Sequence, residues 1–221
     1  MSAPPPTVVP ILATPFGVLP LPEVAAQNLA LAALFAAKRA ADRSGRAQNP
    51  LCYRSGDDLL EWSEGSVRQL AAGMLRGVCQ VVDAVNEFGD GQLQSFKLEA
   101  RGWFTVVESD GCVPAALHPL TTWCAVYCVA APAPSASRRD SGLLRLHESR
   151  FGTMFPDATN SVMRLPFKPG HYGWQPVPGQ MAVFPASIIH EIATVRATEP
   201  LVLVTCRVRF VAPGQQGVGR W

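Results

Sequence analysis

Helix-type periodicity is confined to residues 1–92 of this chain, and residues 93–221 consist of short β-rich runs punctuated by Gly and Pro. That order excludes a βαβ fold, in which the two patterns would alternate. It predicts an α+β domain with helices packed on one face of a β-sandwich or barrel. At 221 residues one domain can bury a full core, so 1–221 reads as a single unit. Pro22-Glu23 opens the first helix, because proline fits the first turn and a carboxylate favours the dipole there. The helix then runs from Val24 to Asp42, with Lys38, Arg39 and Arg43 near its end and Gly45 beyond. A second start, Ser55-Gly56-Asp57-Asp58, leads into Leu59, Leu60 and Trp62. From Ser66 to Phe88, Val67, Leu70, Met74, Val78, Val81 and Val85 recur at three- and four-residue spacings, which predicts an amphipathic helix. Strands are expected at Leu98–Val107, Thr121–Ala130, Gly142–His147, Gln180–Pro185 and Leu201–Val211. The Pro/Ala/Ser-rich segment Ala131–Asp140 reads as an exposed, mobile hairpin loop.

Composition narrows the function classes. Hydrophobic residues make up 48% and charged residues 16%, the balance of a compact chain rather than a disordered one. The net charge is +2 with scattered basic residues, so no nucleic-acid partner is expected. Six cysteines, at positions 52, 79, 112, 124, 128 and 206, form no CxxC pair. They read as mostly free, buried thiols in a reducing compartment. Met1–Pro10 lacks the basic and apolar regions of a secretory signal, and the apolar stretch Leu29–Ala37 is too short to span a bilayer. The expectation is a cytoplasmic protein without a membrane partner. The Ala/Leu-rich first helix suits packing on the barrel or a homodimer interface equally well.

Chemistry concentrates in the strand-rich part, which holds all four histidines: 118, 147, 171 and 190. His190 follows the turn-and-strand segment Val177–Pro185, a placement that aims a ring into a barrel mouth. His118, in AALHPLTTW, lies 72 residues earlier at another strand junction. An isolated histidine is more often simply a satisfied core or surface residue, so the pair acquires weight from what surrounds it. In order, the chain offers Thr14-Pro15-Phe16-Gly17 with Asn28 and Leu31, then Tyr53-Arg54-Ser55-Gly56-Asp57-Asp58-Leu59. Trp103, Leu117-His118-Pro119 and Cys124-Ala125-Val126-Tyr127-Cys128-Val129 follow, then Ser141-Gly142-Leu143-Leu144-Arg145-Leu146-His147-Glu148-Ser149-Arg150. Last comes Pro178-Gly179-Gln180-Met181-Ala182-Val183-Phe184-Pro185, running on to His190.

This succession resembles small 2-oxoglutarate–Fe(II) oxygenases with a His-x-His-Pro segment, over nearly the whole chain. The resemblance implies a double-stranded β-helix, a jelly-roll or cupin-like barrel. It also implies two histidines and a further ligand holding Fe(II), with positions left open for 2-oxoglutarate and oxygen. On it, His190 matches the distal histidine and His118 the second histidine of the His-x-His-Pro segment. The substrate would be a small molecule or a peptide side chain.

Several positions depart from that pattern. The first histidine of the segment corresponds to Ala116, and no His-x-Asp or His-x-Glu occurs in the chain. The arginine expected to clamp the cosubstrate's carboxylate corresponds to Pro200. Arg207, 17 residues beyond His190, is the replacement candidate; Arg209 shares its face, and Arg196 is a loop alternative. Tyr127 could hydrogen-bond the cosubstrate or pack in the barrel. For the third ligand, strand alternation lets only one of His147 and Glu148 face inward. His147 would give a three-histidine centre without 2-oxoglutarate, and Glu148 a rearranged two-histidine-one-carboxylate site. Otherwise Glu148 pairs with Arg145 or Arg150 at the surface. His171 is expected to be exposed in a loop, with Tyr172 and Trp174 lining a pocket. A further alternative is a barrel that has lost its reaction and serves as a binding module.

Overall fold

A computed structural model describes residues 9–10, 13–42, 44, 50–133, 137–148, 163–168 and 170–214. Its centre is the strand β10 (Leu201–Val211), paired antiparallel along its whole length with β3 (Lys97–Val107) and on its other side with β5 (Trp123–Ala130). Leu201 and Leu203 point into one core, while Val202, Val204, Cys206 and Val208 point into another. A strand covered on both faces needs a continuous apolar run rather than an alternating one. LVLVTC supplies it.

Six strands form the larger sheet, in the order β1-β8-β5-β10-β3-β2, with β1 at Gly17–Pro20, β2 at Cys52–Arg54 and β8 at Gln180–Pro185. The smaller sheet has the order β4-β9-β6-β7. Its strands are Val113–Ala116, Ile189–Ile192, Leu144–His147 and His171–Trp174, respectively. From β3 onward the chain crosses repeatedly between the two sheets, which is the double-stranded β-helix. Cys124, Val126, Cys128, Phe184, Leu144, Leu146 and Trp174 fill the space between the sheets.

Helices cover the outer face of the larger sheet. The expected first helix divides into α1 (Pro22–Ala25) and α2 (Asn28–Ala41), separated at Ala26-Gln27. On α2, Leu31 and Phe35 are one turn apart and fully buried, and Phe35 stacks on Phe104 of β3 with ring centroids 4.3 Å apart. The long helix α3 (Gly65–Asn86) buries Val67, Leu70, Met74, Val78 and Val82. The expected stripe continued through Val81 and Val85, but Val81 is only partly buried and Val85 is exposed. Eighteen residues at 3.6 per turn complete five turns, so Val85 keeps the phase of buried Val67 and is exposed because it lies in the last turn of α3, next to its end at Asn86. At Gly77 α3 packs tightly on the sheet: a Cβ there would sit 2.5 Å from Met181 Cε and 2.8 Å from Leu19 Cδ1.

All five expected strands form, within two residues of their expected ends. Among the described residues five more, β1, β2, β4, β7 and β9, have only three or four residues each and lie outside the runs expected as strands. The second helix start yields only a 3₁₀ turn, Leu59–Glu61. Part of the Ala131–Asp140 segment lies outside the described residues. None of the six cysteines forms a disulfide, and Cys124, Cys128 and Cys206 are buried. No helix among the described residues is long and apolar enough to cross a membrane.

Candidate metal centre

Two short pieces of backbone bring His118 and His190 together between the sheets. β9 places His190 opposite Ala116 of β4 on one side and Leu146 of β6 on the other, and Leu146 pairs in turn with Tyr172 of β7. Antiparallel register partners share a face, so this row forms the inner wall of the smaller sheet. His118 follows β4 in a turn held by two bonds: its backbone N–H donates to Ala186 O at 3.0 Å, and Thr121 Oγ1 donates to His118 O at 2.9 Å. The two imidazole centroids are 5.0 Å apart. Phe184 packs edge-on to His190 at 5.0 Å, and Trp103 edge-on to His118 at 5.3 Å.

Cys124 completes the cluster from the larger sheet. One ligand atom from each of His118, Cys124 and His190 lies within 4.8 Å of the others. Cys124 is fully buried, paired across β5 with Phe184 and Arg207. Sequence reasoning assigned it only as a buried thiol. Alternation along β5 was the available signal, because Cys124 is in phase with inward-facing Val126 and Cys128.

The histidines are held in the form a metal needs. The Nδ1 of His190 lies 2.9 Å from Ile188 O. Donation to that carbonyl fixes the tautomer and leaves the Nε2 lone pair for a ligand. Burial holds His190 below its ordinary value, against the opposing pull of that carbonyl. Burial also takes His118 down to about 4, helped by the proximity of His190 and by the positive charges of Arg207 and Arg54, with Asp57 opposing. Both rings are therefore neutral at pH 7. Burial pushes the Cys124 thiol upward, reinforced by nearby Cys206.

Arg207 faces this cluster, and its Nη2 donates to Asp57 Oδ2 at 2.8 Å. Arg54 pairs with the other Asp57 oxygen and lies over Trp103, 4.2 Å from the ring centroid. The Trp103 ring is also within 5.8 Å of the Arg207 guanidinium. One carboxylate thus bridges two guanidiniums beside the histidines. Neither Arg54 nor Asp57 was singled out from the sequence beyond its place in a motif.

The other candidates fall elsewhere. His147 pairs in register with Ile189 and His171, on the opposite face from Leu146 and His190. Its Nε2 lies 3.6 Å from Glu191 Oε1, which Arg145 also reaches at 3.2 Å. The three-histidine centre through His147 is not formed, because strand alternation turns that ring outward. Glu148 has the inward phase, and its backbone N–H donates to Gly170 O at 2.9 Å. Its carboxylate is not part of the ligand cluster, so the rearranged two-histidine-one-carboxylate site is not formed among the described residues. Tyr127 faces the helices, where its hydroxyl bonds Asn28 Oδ1 at 2.8 Å. A cosubstrate between the sheets is out of its reach, and packing is its role. Arg209 is engaged with Glu99 at 2.7 Å, and Arg196 pairs with Asp110. His171 is exposed, as expected, but on strand β7 rather than in a loop. Trp174 is buried between the sheets, while Tyr172 lies at the rim, 5.0 Å from Phe16. A groove of about 320 Å³ between β1 and α3, lined by Phe16, Gly17, Val81 and Val85, includes none of His118, Cys124 and His190.

Neither a protein-family model nor a curated protein matches the sequence. Solved structures do match over nearly the full chain. A Pseudomonas putida prolyl-4-hydroxylase superposes with a TM-score of 0.57 at 16% identity, covering 88% of this chain and 91% of its own. The non-haem α-ketoglutarate-dependent epimerase SnoN of nogalamycin biosynthesis gives 0.59 at 12%, covering 93% and 84%. HygX from Streptomyces hygroscopicus, solved with nickel and 2-oxoglutarate bound, gives 0.55 at 11%, covering 93% and 85%. The chain shares their fold. At such identities the likeness extends to architecture, and the chemistry must be argued from the side chains.

That donor set fits a divalent metal: two neutral imidazoles, one with its far nitrogen anchored, and a buried sulfur within reach. It differs from a two-histidine-one-carboxylate triad, because no Asp or Glu among the described residues joins it.

Proposed function

We propose that this protein is a metal-dependent oxidoreductase of the Fe(II)/2-oxoglutarate oxygenase type with an altered metal site, acting on a small molecule or a protein side chain. The observation that carries this reading is the pairing of His118 and His190, neutral and 5.0 Å apart, on the inner faces of a barrel that 2-oxoglutarate-dependent enzymes share. Bound Fe(II) with 2-oxoglutarate would supply the oxidising power for hydroxylation. The chain's own residues have three tasks. His118 and His190 hold the metal. Phe184 and Trp103 pack against their edges and exclude water from the inner side. Arg207 and Arg54 present positive charge for an anionic cosubstrate, in competition with Asp57.

Incubation with Fe(II), 2-oxoglutarate and candidate substrates should release succinate, and His190→Ala should abolish the release. Absence of metal binding at micromolar concentration in the unmodified protein would sink this reading.

A second reading, a barrel kept as a binding module after losing its reaction, is favoured by one position. Ala116 stands directly across from His190, where the resemblance calls for a histidine. On that reading Ala116→His raises metal affinity sharply from a negligible starting value. Tight iron binding by the unmodified protein counts against it.

A further inference from the structure

We propose that Cys124 is the third protein ligand of the His118–His190 site, giving an N₂S centre that takes a divalent metal of borderline softness, Fe(II) and zinc(II) among them. The inference rests on reading the two histidines as metal holders and adds the ligand that decides which metal they hold. Three observations support it. The three ligand atoms already lie within 4.8 Å of one another. Around a tetrahedral ion with N and S at their usual bond lengths, ligand atoms are about 3.3–3.6 Å apart. Side-chain adjustment of roughly an ångström or so therefore closes the triangle. Next, the three come from different directions: His190 from the smaller sheet, His118 from the turn after β4, and Cys124 from the middle of the facing sheet. An ion among them would have protein on three sides and one position open. Finally, no carboxylate among the described residues joins the group, so the third donor that this barrel offers is sulfur.

Sulfur changes the chemistry of the site. Thiolate with two imidazoles suits zinc, copper and iron, whereas magnesium, calcium and manganese prefer oxygen donors. Binding forms a metal–sulfur bond and breaks the S–H bond, with the proton released to solvent, so one proton should leave for each metal bound. The strand position of Arg207 pairs with that of Cys124.

Cobalt(II) is the probe, because a thiolate ligand gives it a sulfur-to-metal charge-transfer absorption in the near ultraviolet that imidazole does not. The full chain titrated with cobalt(II) should develop this band at one equivalent, release one proton, and lose the band when zinc is added. Cys124→Ser should abolish band and proton release, and should weaken zinc binding by more than the roughly 10–100-fold typical of losing an outer-shell partner. Cys52→Ser, Cys79→Ser, Cys112→Ser, Cys128→Ala and Cys206→Ala should each leave the band intact, which assigns the sulfur by elimination even if the Cys124 variant fails to fold. Cobalt binding without the band, or a band that survives in folded Cys124→Ser, overturns the sulfur ligand and leaves the histidine pair standing. No cobalt or zinc binding at all overturns both.

Discussion

Lowering the pH from 7 to 4.5 should destabilise the protein by roughly 1 kcal/mol more than it destabilises the variant His118→Gln, after a discount for solvent screening of a half-buried ring. Burial and nearby positive groups hold His118 at about 4 in the folded state, against an ordinary 6.5. As pH falls, the unfolded chain therefore takes up its proton first. The stabilisation from a neutral, half-buried imidazole is complete above pH 6.5 and is lost progressively between 6.5 and about 4. Glutamine cannot titrate, so its variant lacks this component while sharing every carboxylate with the wild type. Urea unfolding followed by tryptophan fluorescence at half-unit pH steps, without metal, measures the difference. His190 is shifted in the same direction, so His190→Gln should also flatten the profile. Parallel curves for wild type and His118→Gln would refute the placement of His118 in a desolvated cluster.

Two further substitutions test the layers around the site. Phe104→Ala removes a fully buried ring stacked on Phe35 and should destabilise by about 3–5 kcal/mol in urea unfolding; a loss under about 1 kcal/mol would contradict the packing of α2 on β3. Tyr127→Phe breaks the hydrogen bond to Asn28 and should destabilise by about 1 kcal/mol while leaving metal and 2-oxoglutarate affinity unchanged; a tenfold weaker cosubstrate would return Tyr127 to the site.

Long elements were legible in the sequence because their patterns are repetitive and their partners few. β10 and α3 each state their burial over many residues, and both formed close to the expected bounds. Short strands were not legible: β4 and β9, at four residues each, owe their existence to pairing with one another rather than to propensity. The site followed the same division. His118 and His190 stood out as histidines at strand junctions. Strand phase decided between His147 and Glu148 only once the β6–β9 register was known, and it turned His147 outward. Cys124 was hidden for a different reason. In an apolar strand a cysteine reads as a small hydrophobe, and only the approach of two elements far along the chain reveals its sulfur as a neighbour of both imidazoles. The Asp57 bridge between Arg54 and Arg207 likewise joins positions 150 residues apart.

The most direct measurement is a crystal structure of the protein soaked in zinc or iron, with anomalous diffraction recorded at the metal edge. A single strong peak should lie between His190 and His118, about 2.0–2.3 Å from their ring nitrogens. A peak instead at His147, His171 and Glu191, or no peak between the sheets, would contradict the central claim.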